Sequence, residues 1–122
     1  MYQYIMAGLI GLLGGITSGL FGVGGGVIMV PAMLLVLSPP IRDIKQAIGT
    51  SLVVIVPTAI MGSFKHNTQG NVHWMTAVLL VPTAIVGSYL GAFLTKIISA
   101  EDLKRAFGVF LVLVGCRLIF FK

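Results

Sequence analysis

From Tyr4 to Leu37 the chain carries no charged side chain, and glycines break the stretch at Gly22-Val23-Gly24-Gly25-Gly26. No water-facing surface is left so long without charge, since the polar residues of a soluble chain sit mostly outside. A spanning helix needs about 20 apolar residues. The stretch is therefore too long for one straight span and too short for two full spans with a turn. It reads as a helix from about Tyr4 to Phe21, an irregular glycine segment, and a half-helix from about Val27 to Leu37. Ser38-Pro39-Pro40 then stops the helix, because proline lacks the donor and clashes with the preceding turn.

Composition carries the same reading to the whole chain. Of 122 residues, 57% are AVILMFWYC and 9% are charged. A soluble domain has about 45–50% apolar residues with glycine counted in, and about 25% charged. A small globule must cover much surface, and so few charges cannot do it. A soluble enzyme, a disordered tail and a secreted disulfide scaffold are excluded, leaving an integral membrane protein. The net charge of +5 does not point to nucleic acid, because the basic residues stand singly in short gaps and form no patch. Met1 to Tyr4 holds no basic residue, and the apolar run exceeds the about 7–15 residues of a signal-peptide core. A mature membrane segment is expected. The single cysteine, Cys116, lies in an apolar run and is expected to be a buried, inert thiol.

Polar connections divide the rest. Ile41 to Gln46 carries Arg42, Asp43 and Lys45, and a span from about Ala47 to Phe64 follows, with Pro57 inside it. Lys65 to His73 is a loop with a turn at Gly70-Asn71. Trp74 marks re-entry at the interface, and the next span runs from about Met75 to Ile98 around Pro82. Ser99 and Asp102 have capping-box spacing ahead of a last span, Leu103 to Phe121, closed by Lys122. Period-2 alternation is absent, so the spans are helices and not barrel strands. The expected fold is all-α, a polytopic membrane helix bundle within one transmembrane domain, residues 1–122. It has four crossings if the first stretch crosses once or re-enters, and five if the half-helix completes a second crossing. If the Ile41–Gln46 and Lys96–Arg105 connections share a side, that side holds Arg42, Lys45, Lys96, Lys104 and Arg105, against Lys65, Arg117 and Lys122 opposite. The basic excess makes the first side cytoplasmic, by a narrow margin.

Chemistry concentrates at the glycine segment. Glycine permits positive φ and close backbone approach. Broken helices in transporters aim half-helix N-termini at the substrate, where free N–H groups and the dipole favour anions. Gly22, Gly24, Gly25 and Gly26 are the candidate backbone donors, with Thr50 and Ser51 as hydroxyl donors near the start of the second long span. The competing reading is structural. Gly11, Gly15, Gly19 and Gly22 are spaced for close helix packing, and the pairs Thr50-Ser51 and Thr17-Ser18 can bond local carbonyls. Pro31, Pro57 and Pro82 are candidate kinks or hinges. His66 and His73 flank the loop; they read as interfacial polar residues, with a proton-linked role as the alternative. Neither has a second ligand at metal spacing, so no metal and no cofactor is expected. No charged residue lies mid-span, which argues against a cation pump or proton-driven multidrug exporter. No nucleophile–base pair is visible, so the chain is not expected to be an enzyme. Gly-Lys-Ser/Thr is missing, which excludes a P-loop, and Val27 occupies the third glycine of a dinucleotide fingerprint.

The order of these motifs resembles the sulfite exporter TauE/SafE family. The resemblance is carried by Gly22-Val23-Gly24-Gly25-Gly26 with Pro31, Ala47-Ile48-Gly49-Thr50-Ser51-Leu52, and His66 with Gly70-Asn71-Val72-His73-Trp74. Gly87-Ser88-Tyr89-Leu90-Gly91, Leu103-Lys104-Arg105-Ala106-Phe107-Gly108 and Arg117 continue it. The resemblance implies a multi-pass inner-membrane permease for sulfite, sulfonates or related organosulfur anions. It also implies two tandem copies of such a unit, where this chain carries one, and often an acidic residue at the position of His73. A homodimer or a paired half-size subunit in the lipid bilayer is therefore expected. The alternatives are a non-transporting assembly or regulatory subunit, or the truncated half of a two-repeat permease.

Overall fold

Each polar connection becomes a helix boundary in the computed structural model, which describes residues 1–121. The helices are α1 (Tyr2–Phe21), α2 (Gly26–Val36), α3 (Ile44–Thr68), α4 (Trp74–Ile97) and α5 (Ala100–Phe120), and no strand occurs among the described residues. Lys122, expected to close the last span, lies outside the described residues.

The boundaries have local causes. The Asp43 carboxylate accepts from the Gln46 amide at 3.0 Å, and the Gln46 side chain accepts from the Arg42 amide at 2.8 Å, closing a reciprocal cap at the start of α3. Ser99 accepts from the Asp102 amide at 3.1 Å and donates its hydroxyl to the Asp102 carboxylate at 2.7 Å, starting α5. His73 caps α4, its Nδ1 accepting from the Thr76 amide at 3.3 Å. Gly22 ends α1 in the left-handed region, φ 67°, with its amide returned to the Ser18 carbonyl at 2.9 Å.

Contacts fix the path. The Gln3 side-chain amide donates to the Pro39 carbonyl at 2.9 Å, so the chain leaving α2 lies beside the start of α1. A Cβ on Gly25, at the start of α2, would strike the carbonyl of Gly14 in mid-α1. Hence α2 runs antiparallel to α1, beginning at mid-depth and finishing at the end where α1 began. Its 11 residues rise about 16 Å, roughly half of a bilayer's about 30 Å hydrocarbon core. Alongside it, α3 puts Ile44 and Ala47 in the core with α2, Ser51 and Ile55 beside the glycine segment, and His66 against Gly19. The start of α5 returns to the first end, where Arg42 and Asp43 share a charged recess with Glu101 and Lys104.

The path thus has five legs, the second of them of half length. Of the two topologies open from sequence, the half-helix completes the return leg. The connections Ile41–Gln46 and Lys96–Arg105 lie at one end, with Lys65 at the other.

The core is small and centred on α2. Met29, Val30, Met33 and Leu37 pack with Ile10 of α1 and with Ile44 and Ala47 of α3. Leu103 and Phe107 of α5 lie against this cluster, half-buried, and α4 buries no residue at all. In water such exposure would expel the fold. In hydrocarbon it costs little, because lipid tails are as apolar as the side chains they touch. α1, α3 and α4 are each long and apolar enough to cross a membrane. The chain is a multi-pass membrane helix bundle. Cys116 corrects one expectation. It is exposed on α5, because that helix turns only its first half toward the core.

Candidate functional site

Two helices pinch the glycine segment. Gly24 and Gly25 both adopt left-handed backbone, φ 72° and 74°, and Gly25 is the N-cap of α2. Side chains are excluded here by space as well as by φ. A Cβ on Gly24 or Gly26 would sit 3.2–3.3 Å from Ile55 of α3, and one on Gly25 would overlap the Gly14 backbone. The packing glycine of α1 is therefore Gly14, whose α-carbon faces Met29 of α2. The period-four set Gly11, Gly15, Gly19 and Gly22 has nothing within 4 Å of a built Cβ. Their spacing puts those glycines on one face, but that face finds no tight partner among the described residues. Gly15 and Gly19 instead border an open groove with Pro57 and Gly62 of α3.

Beside the break lies a cavity of 330 Å³, bordered by Ser18, Gly22, Gly24, Thr58, Ser63 and His66 among others. It extends from mid-depth at Gly24 toward the end of the bundle, where Val72 of the α3–α4 turn joins its wall. His66 stands at that end, its Nε2 2.8 Å from the Gly19 carbonyl. A carbonyl only accepts, so Nε2 carries the proton and donates.

The predicted site residues fall into different settings. Gly22 and Gly24 border the cavity. Gly25 is buried in the seam with α1, and Gly26 lies beside Ser51, whose Oγ is 3.6 Å from a built Cβ. Ser51 is buried, 3% exposed, and donates its hydroxyl to the Ile48 carbonyl at 2.8 Å. Thr50 is exposed. Pro31, Pro57 and Pro82 sit inside α2, α3 and α4, where each deprives the carbonyl four residues back, Val27, Val53 and Val78, of its helical donor.

The Thr17 and Thr58 hydroxyls are committed to their own helices. Thr17 donates to Leu13 or Gly14, and Thr58 to Val54 or Ile55. The backbone differs. Ile28 and Met29 close the first turn of α2 onto the Gly25 carbonyl, whereas the amides of Gly24, Gly25 and Val27 meet no acceptor among the described residues. Uncommitted donors at the positive end of a helix suit an anion, and of the three Gly24 borders the cavity. Nothing in this arrangement supplies a nucleophile with a base, and no cluster of three metal-binding side chains occurs among the described residues.

Thr58 and Ser63 are additions that motif reading did not supply, while His66, read as an interfacial residue with a proton-linked role as the alternative, is brought to the cavity wall. A signal for them existed: Ser51, Ile55, Thr58, Gly62 and His66 follow each other at three- and four-residue steps, one stripe of α3.

A broken half-helix inside a membrane bundle, with a cavity beside the break, is a feature of membrane transporters. The sulfite exporter TauE/SafE family model matches residues 7–122, and the chain belongs to that family. It is 38% identical over 120 residues to the probable membrane transporter protein YunE of Bacillus subtilis, covering 98% of this chain and 42% of that protein. A probable membrane transporter protein of Methanocaldococcus jannaschii is 34% identical over 107 residues, covering 85% of this chain and 40% of its own. The chain thus spans about two-fifths of the length of these relatives. No solved structure matches it.

Proposed function

We propose that residues 1–122 form one repeat of a permease that moves a small anion across the bacterial inner membrane. The observation that carries this reading is the start of α2. It stands at mid-depth with the amides of Gly24, Gly25 and Val27 uncommitted, in a segment that holds no carboxylate. The Gly22–Gly26 backbone coordinates the anion, and Ser51 lies close enough to Gly26 to add a hydroxyl if it releases the Ile48 carbonyl. Thr50, being exposed, contributes only across a face covered by a second unit. Pro31, Pro57 and Pro82 act as the kinks about which the helices adjust. The substrate class follows the family name: sulfite, sulfonates or related organosulfur anions. The working assembly is a homodimer, or this chain paired with a second half-size subunit, because transporter sites form between repeats.

The test is flux into liposomes holding the purified chain, over a panel of sulfite, sulfonates and carboxylates. Saturable uptake of one class, together with a crosslinked dimer in native membranes, is expected. Folded protein that moves no anion faster than empty liposomes would overturn the reading.

A further inference from the structure

We infer that His66 is the protonatable counter-charge of the cavity, so that a small anion binds there together with a proton. This rests on the anion-permease reading above and names the residue that makes it pH-dependent.

The argument starts from what surrounds the ring. His66 borders the same cavity as Gly24. Its Nε2–H is held by the Gly19 carbonyl, which fixes the ring across the α1–α3 seam and leaves Nδ1 unprotonated in the neutral form. Protonation adds a second donor and a full positive charge without disturbing that bond. Among the described residues, no other side chain of the cavity wall is titratable. α1 contributes only Tyr2 and Tyr4, at its far end, and the glycine segment contributes no titratable residue. Lys65, next in sequence, is exposed and shares the neighbouring groove with His66, but it does not border the cavity, and its ammonium keeps its charge. The Gln69–Val72 turn is uncharged. His73, after it, spends Nδ1 on the Thr76 amide as the cap of α4. Arg117 does not border the cavity. An anion entering from this end therefore meets one side chain of the cavity wall whose charge can change, the His66 imidazole.

Coupling follows from linkage. If the anion binds the imidazolium better than the imidazole, the anion must in turn favour the proton. Charge is balanced, since one proton and one monoanion enter together.

The test has two arms. In the first, the His66 ring is titrated by NMR in detergent micelles with methanesulfonate as the probe. At a probe concentration ten times its dissociation constant for the protonated site, the titration midpoint rises by about one pH unit. The His73 midpoint stays fixed. A His66 midpoint that does not move with methanesulfonate overturns the proposal, whatever the flux assay shows. A midpoint that moves in protein without flux upholds the His66 site while the transport reading fails. In the second arm, methanesulfonate flux falls as external pH rises in the wild type. His66→Gln, which keeps an N–H for the Gly19 carbonyl, loses the flux, and His66→Arg keeps flux without the pH dependence. An unchanged pH profile in His66→Gln also overturns the proposal.

Discussion

The seam at Gly25 makes the sharpest stability prediction. Alanine at Gly22 and at Gly25 meets the same backbone problem, since both have φ near 70°. Left-handed backbone costs a residue with a Cβ about 1–2 kcal/mol. The surroundings differ. Nothing lies within 4 Å of a Cβ at Gly22, whereas at Gly25 the new carbon overlaps the Gly14 carbonyl. A carbonyl inside a helix cannot swing away as a side chain can, so α1 and α2 must part. Overpacking of that kind costs about 1–3 kcal/mol more. Gly22→Ala should therefore lose about 1–2 kcal/mol, and Gly25→Ala about 2–5 kcal/mol. The difference corresponds to about 5- to 150-fold in the unfolding equilibrium. Unfolding titrated with SDS in mixed micelles, followed by circular dichroism, measures both. If Gly25→Ala unfolds at the same SDS fraction as Gly22→Ala, α2 does not start against Gly14, and its mid-depth tip is wrong.

Further substitutions separate site from scaffold. Val27→Pro deletes one uncommitted amide in the first turn of α2, where proline is tolerated. Flux should drop at least about tenfold, since a hydrogen bond to a charged group contributes about 1.5–3 kcal/mol, with SDS unfolding unchanged; retained flux would remove that amide from the site. Ala47→Leu places a large side chain where the native residue is 0% exposed, and should destabilise by about 1–3 kcal/mol. Thr50→Leu on the exposed face should stay within about 0.5 kcal/mol of wild type in the same titration. Ser99→Ala removes the α5 cap, about 1 kcal/mol, and should speed hydrogen exchange at the Asp102 amide while leaving α1 to α3 protected.

Much of this fold was legible because its punctuation is polar and its sentences are apolar. Asp43, His73 and Ser99 each stand where a span begins, and each became a cap. The glycine run broke the first stretch where it was read to break, since no side chain could follow the backbone through φ near 70° against Gly14 and Ile55. What stayed hidden depends on which faces meet. A four-residue glycine period marks a face of α1 but not its partner, and the true contact, Gly14, lies one position off that stripe. Cys116 was misjudged for the same reason: an apolar neighbourhood in sequence does not distinguish core from lipid. Thr58 and His66 lay in plain view on one stripe of α3, but their relevance depends on the glycine segment, more than thirty residues earlier, folding back beside them.

An odd number of legs has one more result. A ribbon that crosses five times finishes on the far bank, so an identical module appended there would hang upside down. Its lysines and arginines would then vote for the reverse insertion and cancel the first module's narrow majority. Two modules sharing one polypeptide would settle their pose by carrying their basic residues in different connections.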